Sequence, residues 1–172
     1  MPILIIIAGP NGAGKTSFAN KHFETPGAGL HYLNADEIAR GLADARLSQS
    51  ELNIRAGREM LGQIDTLVDA GASFMFETTL ASLTYARKIP TWRQRGYRAA
   101  LVYLRLPTVE MSVERVRRRV AQGGHDIPEG VIRQRFAKSS DYFEKYYKSI
   151  VDEWYVWDSL EGEFRQAESW KD

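Results

Sequence analysis

Apolar and polar positions fall in blocks that alternate between two periods. Ile3–Ala8 (Ile-Leu-Ile-Ile-Ile-Ala) is a continuous apolar run, the pattern of a strand buried on both faces in the middle of a parallel sheet. Lys15–Phe23 predicts a helix closed by Thr25-Pro26-Gly27. His31–Asn34 predicts a short second strand, and Asp36–Leu42 a helical turn with Asp36 at its start. Ile54, Met60, Leu61, Ile64, Leu67 and Val68 recur at helical spacing and Gly71 stops them, so Ser50–Ala70 predicts a long helix. Ser73–Glu77 reads as a third strand and Tyr97–Leu106 as a fourth. Between them Thr84–Arg95 predicts a helix that must bend or break at Pro90. A basic helix over Thr108–Gln122 ends at Gly123-Gly124, a second follows over Pro128–Ile150, and Glu153–Trp157 predicts a fifth strand before a tail.

Alternation of this kind predicts an α/β three-layer sandwich around a mostly parallel five-stranded sheet with right-handed crossovers. At 172 residues, with no internal repeat or linker, residues 1–172 read as one domain. Ligands of such sheets bind at the carboxyl ends of the strands. That rim collects the segments after Ala8, Asn34, Phe76 and Leu106.

Composition narrows the picture little. There is no cysteine, so disulfides and thiolate metal sites are excluded. The N-terminal apolar run is too short for a signal peptide, and no stretch reaches transmembrane length, so a cytoplasmic protein without a membrane partner is expected. A net charge of +1 weighs against a dedicated nucleic-acid binder. The charge is uneven, however: seven arginines and four acids lie between Arg105 and Arg135.

The sharpest feature follows the first strand. Gly9-Pro10-Asn11-Gly12-Ala13-Gly14-Lys15-Thr16 is the full phosphate-loop pattern G-x-x-x-x-G-K-[ST], between a buried strand and a helix, as the motif requires. Its glycines let successive N–H groups turn inward on an anion, Lys15 can reach the β- and γ-phosphates, and Thr16 offers a hydroxyl to Mg²⁺. Gly9 through Ser17 are therefore the candidate nucleotide contacts, and Thr16 the candidate metal ligand.

Phosphoryl transfer further needs a base and cations on the transferring group. Asp36, in Asn34-Ala35-Asp36-Glu37, is placed to face the γ-phosphate and take the proton of an acceptor hydroxyl, although both Asn34 and Asp36 are also good helix caps. Glu77-Thr78-Thr79 ends the third strand with a carboxylate and two hydroxyls, able to hold a Mg²⁺ water or bind an acceptor; a capped turn is the structural alternative. The fourth strand ends in Leu104-Arg105-Leu106-Pro107 rather than an acid, which removes the usual magnesium carboxylate. Arg115, Arg117, Arg118 and Arg119, the Gly123-Gly124 turn, then Arg133 and Arg135 read as a helical lid over about 108–135. A helix turns about 100° per residue, so at least half of these arginines must face solvent or acids such as Glu114. His125 suits a structural hydrogen bond, since no second histidine stands at metal spacing, and Tyr142, Phe143, Tyr146, Tyr147, Trp154, Tyr155 and Trp157 read as packing.

Four motifs in this order, the 9–16 loop, Asn34-Ala-Asp36-Glu, Phe76-Glu77-Thr78-Thr79-Leu80 and Arg115-Val…Arg119-Val…Gly123-Gly124-His125…Arg135-Phe, resemble the zeta-toxin family of kinases from residue 3 to about Ile150. The resemblance implies an ATP- and Mg²⁺-dependent phosphotransferase on an adenylate-kinase-like P-loop fold. By motif it makes Asp36 the catalytic base, Lys15 and Thr16 the ATP and Mg²⁺ contacts, and Asn34, Glu77, Thr78 and Thr79 acceptor contacts. Arg119 and Arg135 become the lid arginines. It further implies UDP-N-acetylglucosamine or a related UDP-sugar as acceptor, and a separate antitoxin chain as partner. Larger members carry extra C-terminal helices that shape the sugar-nucleotide site; their lack after the fifth strand here leaves other hydroxylated metabolites as acceptors. Two other classes stand beside this one: an ATP-binding regulatory module with slow hydrolysis, and a nucleic-acid end kinase using the 105–135 arginines.

Overall fold

The computed structural model describes residues 1–23, 30–42 and 46–171, so the expected Thr25-Pro26-Gly27 helix stop lies outside the described residues. The strands are β1 (Ile3–Ala8), β2 (His31–Leu33), β3 (Phe74–Thr78), β4 (Arg98–Arg105), β5 (Glu153–Leu160) and β6 (Glu163–Lys171). The helices are α1 (Lys15–Phe23), α2 (Ala35–Gly41), α3 (Gln49–Asp69), α4 (Thr84–Gln94), α5 (Val109–Ala121) and α6 (Glu129–Tyr142), the last running into a π-helical turn over Phe143–Tyr147. One sheet carries all six strands in the order β2-β3-β1-β4-β5-β6. The first five are parallel, and β6 returns antiparallel on β5.

The sixth strand corrects the expected five-stranded sheet and tail. Leu160 pairs with Glu163 across the two-residue turn Glu161-Gly162, whose glycine takes a left-handed φ of 76°, a conformation open to glycine without steric cost. In β6, Phe164 turns inward onto Phe18, 5.1 Å between ring centroids, while Arg165–Lys171 are exposed. With both faces of its outer half in solvent, the strand has no apolar–polar alternation to read.

Both faces of β1 are covered, as its unbroken apolar run demands. Leu4, Ile6 and Ala8 join Met60, Ile64, Phe74, Phe76, Trp92 and Tyr147 under α3, α4 and the π-helical turn. Ile7 joins Phe18, Ala19, Met75, Val102 and Leu104 under α1. Each fully buried side chain of this size contributes roughly 1.5–3 kcal/mol. In α3 the inward row is Ala56, Met60, Ile64 and Val68, one turn apart. Ile54, expected on this face, is 54% exposed, because two residues rotate a helix by about 200° and carry it to the far side. The helix starts at Gln49 through a capping box: Ser48 Oγ accepts from Glu51 N, and Ser48 N donates to the Glu51 carboxylate. Pro90 does not break α4, which runs through it with the ring exposed.

The expected single helix over 128–150 is instead α6 and its π-helical turn. The wider turn brings Phe143 and Tyr147 inward together; Phe143 stacks on Tyr103 at 4.4 Å, and Tyr147 is fully buried. The Tyr147 hydroxyl donates to Ser82 O at 2.6 Å and accepts from Ala86 N at 3.3 Å, tying the start of α4 to the core. Tyr147→Phe strands both backbone groups and should cost about 1–3 kcal/mol. The check is a lowered denaturation midpoint at constant m-value.

Helices α5 and α6 hold each other through their own small cluster, Val113, Val116 and Ile132 flanked by Val120 and Ile127. They form a paired unit over the carboxyl rim. Among the described residues no helix is long and apolar enough to cross a membrane.

Candidate active site

The phosphate loop leaves β1 at the point where the sheet divides, with β3 on one side and β4 on the other. Gly9, Gly12 and Gly14 all take positive φ. Gly12 also has no room for a side chain, since a Cβ there would lie 2.9 Å from that of Arg115. Three residues clamp the loop from outside. Ser112 Oγ donates to Asn11 O; Ser159 Oγ donates to Ala13 O at 2.8 Å; Arg115 Nη1 donates to Gly12 O at 3.2 Å and to Ser159 Oγ at 2.8 Å. Serines on a basic helix and a polar strand end carry no sequence signal for this role. Lys15 Nζ donates back to Gly9 O at 3.0 Å and Pro10 O at 3.1 Å. Burial lowers its ammonium from the usual lysine range to about 8, against the opposing pull of Glu77 and Asp36.

A second network joins the loop to β2 and β3. Thr16 Oγ1 donates to Glu77 Oε2 at 3.2 Å, and the Tyr32 hydroxyl donates to Glu77 Oε1. Asn34 Nδ2 lies 3.3 Å from Thr16 Oγ1 and 3.4 Å from the Tyr32 hydroxyl. Burial and the adjacent Glu77 carboxylate push the Tyr32 phenol up, so it remains a donor. Glu77 is thus aimed from the end of β3 at the candidate metal ligand Thr16. Tyr32 was not among the expected site residues; a tyrosine in a three-residue strand looks like packing.

The capping question is settled by Asn34. Its Oδ1 accepts from Asp36 N at 2.8 Å, which makes Asn34 the N-cap of α2 and moves the helix start to Ala35. Asp36 is left with a carboxylate 60% exposed to the cleft and 4.0 Å from Arg119 Nη1. Thr78 and Thr79 also line the cleft, but their hydroxyls accept from Leu80 N at 3.1 Å and Ala81 N at 3.5 Å, as in the capped-turn alternative. The turn holds Leu80 at φ 55° although it is a buried leucine, a strained backbone fixed directly after the motif.

The seven arginines separate into two groups. Arg105 pairs with Asp158 and Glu168, Arg117 with Glu129, Arg118 with Glu114 and Glu161, and Arg133 with Glu110 and Glu129. Arg115, Arg119 and Arg135 line the cleft. Arg119 Nε and Nη2 are buried and have no hydrogen-bond partner, a costly state for a guanidinium. Gly124 permits it to lie there: its N donates to Arg119 O at 2.8 Å, and a Cβ would come within 2.5 Å of Arg119 Cγ. Burial lowers Arg135 from the usual arginine range, with Asp36 opposing.

These groups bound one cleft of about 460 Å³. It combines a glycine-rich loop, a lysine, a hydroxyl–carboxylate pair, an exposed carboxylate and convergent arginines, the inventory of a polyphosphate site. A family model described as an AAA domain matches residues 4–145. The chain belongs to this AAA-domain family. The matched span runs from β1 into the π-helical turn and so contains every residue that lines the cleft. An uncharacterised protein of Haemophilus influenzae is 27% identical to this AAA-domain chain over 134 residues, 77% of this chain and 91% of that one. Solved structures share the P-loop fold at lower identity. AvrRxo1-ORF1:AvrRxo1-ORF2 with sulphate ions matches at TM-score 0.77 and 18% identity, over 98% of this chain and 58% of that one. The Pnkp1/Rnl/Hen1 RNA repair complex matches at 0.67 and 22%, over 84% and 46%. The PezAT chromosomal toxin–antitoxin system of Streptococcus pneumoniae matches at 0.64 and 17%, over 98% and 72%. The chain therefore spans about half the length of the first two of these.

Proposed function

We propose that the protein is an ATP-dependent phosphotransferase that moves the γ-phosphate to a hydroxyl acceptor. The observation that carries this is the placement of Asp36: a carboxylate relieved of capping, in the same cleft as Lys15 and 4.0 Å from a lid arginine. In the proposed step the acceptor oxygen attacks the γ-phosphorus, the bond to the β–γ bridging oxygen breaks, ADP leaves, and the acceptor proton passes to Asp36. Arg119 and Arg135 stabilise the charge on the transferring group, and the loop from Gly9 to Ser17 binds the polyphosphate. Thr16 and Glu77 offer only oxygen donors, which suits Mg²⁺. Among the described residues no cluster of three or more His, Asp or Glu could form an all-protein metal cage, in keeping with an ion that also takes phosphate oxygens. When bound, Mg²⁺ would neutralise phosphate charge.

An AvrRxo1-ORF1:-ORF2 structure solved with ATP, of the same fold at TM-score 0.72, supports ATP as the donor. The toxin–antitoxin likeness supports a separate antitoxin as partner and a zeta-like toxic role. An end kinase for nucleic acid is less well supported: four of the seven lid-region arginines are paired with acids and cannot also track a phosphate backbone without breaking those pairs. The deciding experiment supplies γ-labelled ATP, Mg²⁺ and a metabolite panel that includes UDP-N-acetylglucosamine, read by mass shift. Acceptor-dependent ADP release with a phosphorylated product is expected; ATP turnover indifferent to every acceptor would support a nucleotide-gated module instead.

The lysine provides a pH test. Phosphate charge favours protonated Lys15, so its pKa rises on binding from about 8. ATP affinity should be flat below that pH and weaken above it, by up to about tenfold per unit. Proton uptake should appear in calorimetry repeated in buffers of different ionisation enthalpy. The sign for folding is opposite: the unfolded chain, with Lys15 near 10.5, binds more protons between about 8 and 10.5, so this group makes the empty protein more stable as pH rises through that window.

A further inference from the structure

The sheet order divides the cleft. On the β4, β5 and β6 side the loop is backed from outside by Arg115, Ser159 and Phe164, whose ring would come within 3.2 Å of a Cβ at Gly14. Toward β2 and β3 lie Asp36 and a wall made by α3 and α4. The loop occupies the middle, so a polyphosphate bound there leaves the β2–β3 side for the acceptor. Asn53, Ala56, Gly57, Met60, Thr79 and Tyr85 line that side. They offer an amide, two hydroxyls and an apolar floor. Gly57 lies in mid-helix, where it costs about 1 kcal/mol of helix propensity relative to alanine, and nothing stands within 4 Å of the Cβ it lacks. The missing side chain leaves room in the cleft.

The wall carries no cation. The basic side chains of the cleft, Lys15, Arg115, Arg119, Arg135 and His125, come from the loop and from α5, α6 and the turn between them. Lys15 feels both Arg119 and Arg135, so these gather about the phosphate-transfer point. Among the described residues no lysine or arginine of α3 or α4 lines the cleft, and Lys88 of α4 turns away to Asp65 at 2.9 Å. Residues 24–29, 43–45 and 172 contain no lysine or arginine at all. The acceptor side does carry carboxylates, Asp36 and Glu77. An acceptor with its own diphosphate or carboxylate would be desolvated against an α3–α4 wall that offers it no cation of its own.

We propose that the acceptor is a polyhydroxylated molecule bearing no anionic group, a neutral or amino-bearing sugar or polyol, held by Asn53, Thr79 and Tyr85 through hydrogen bonds on the α3–α4 wall. The proposal rests on the phosphotransferase reading and selects against UDP-sugars within it. The test separates a deproteinised cell extract by ion exchange into anionic, neutral and cationic fractions, adds γ-labelled ATP, Mg²⁺ and enzyme to each, and assays pure UDP-N-acetylglucosamine in parallel. Label should enter new anionic products in the neutral or cationic fraction and be absent from the UDP-sugar. Label in the UDP-sugar or only in the anionic fraction overturns the proposal and leaves the phosphotransferase reading intact. Label in no fraction overturns that reading, and the proposal with it. In the fraction that labels, Gly57→Trp should abolish transfer with ATP affinity unchanged; full transfer by this variant would show that the acceptor does not use the α3 wall.

Discussion

Asp36→Asn should lower kcat for phosphoryl transfer by about 10²–10⁴, the range of a lost general base, with ATP affinity and thermal stability unchanged. The isosteric amide keeps the volume and the hydrogen-bonding reach but cannot take the acceptor proton. Stability is the informative control. Were Asp36 the cap of α2, its replacement by another good capping residue would change little in either quantity. Asn34 already holds that position, accepting from Asp36 N at 2.8 Å, so the Asp36 carboxylate has no local structural partner to lose. Its charged neighbours are cations of the cleft, Arg119 at 4.0 Å with Lys15 and Arg135 also within its field, and all three remain to hold phosphate when the negative charge is removed. A kcat near that of the parent would reject Asp36 as base. A fall in Tm of Asp36→Ala equal to the loss of a cap would instead return it to a structural role. The readout is steady-state kinetics with saturating ATP, alongside ATP binding by calorimetry and a thermal melt.

What the sequence disclosed depends on how local each signal is. The loop, the order of strands and helices and the position of Asp36 are written in contiguous residues, because a buried parallel strand must be apolar on both faces and a phosphate loop must follow it directly. The second carboxylate was visible at Glu77, but its orientation was not. It answers to Thr16, 61 residues earlier, and to Tyr32 on a neighbouring strand, so only the tertiary pairing of β2 with β3 and β3 with β1 reveals it. The Ser112 and Ser159 clamp is hidden for the same reason, since hydroxyls that serve backbone carbonyls of a distant loop look like any polar surface. Strand β6 escaped because Phe164, Ala167 and Trp170 repeat every third residue, a spacing that matches neither a half-buried strand nor a helical face. Helical rotation was enough to say that only some of Arg115–Arg119 could face inward. It could say little of which, because the local acid Glu114 claims only Arg118, while the acid on Arg117 comes from α6 and the second acid on Arg118 from the β5–β6 turn.

Arg119→Ala should give the larger loss, about 10³–10⁵ in kcat, as for an arginine that stabilises a transferring phosphoryl group. The argument is the state of its guanidinium. Two of its donor nitrogens are buried without partners, its nearest anion is beyond hydrogen-bond reach at 4.0 Å, and Gly124 is pressed against its stem. An arginine held so for structural ends would be satisfied by an acid, as Arg117, Arg118 and Arg133 are. Those three provide the contrast. Their pairs are solvent-exposed, and such pairs contribute about 0–1 kcal/mol, so Arg117→Ala and Arg118→Ala should leave kcat unchanged. Arg119→Lys should not restore the rate, because a single ammonium cannot present the planar fork that reaches two phosphate oxygens at once. Arg135 has the same outlook from α6 and a guanidinium whose protonation burial already disfavours, so bound phosphate relieves it; Arg135→Ala should raise the KM for ATP as well as lower kcat. If Arg117 and Arg119 variants lost activity equally, the lid would act through its fold rather than through a positioned charge, and the division of the arginines into inner and outer sets would have no catalytic meaning.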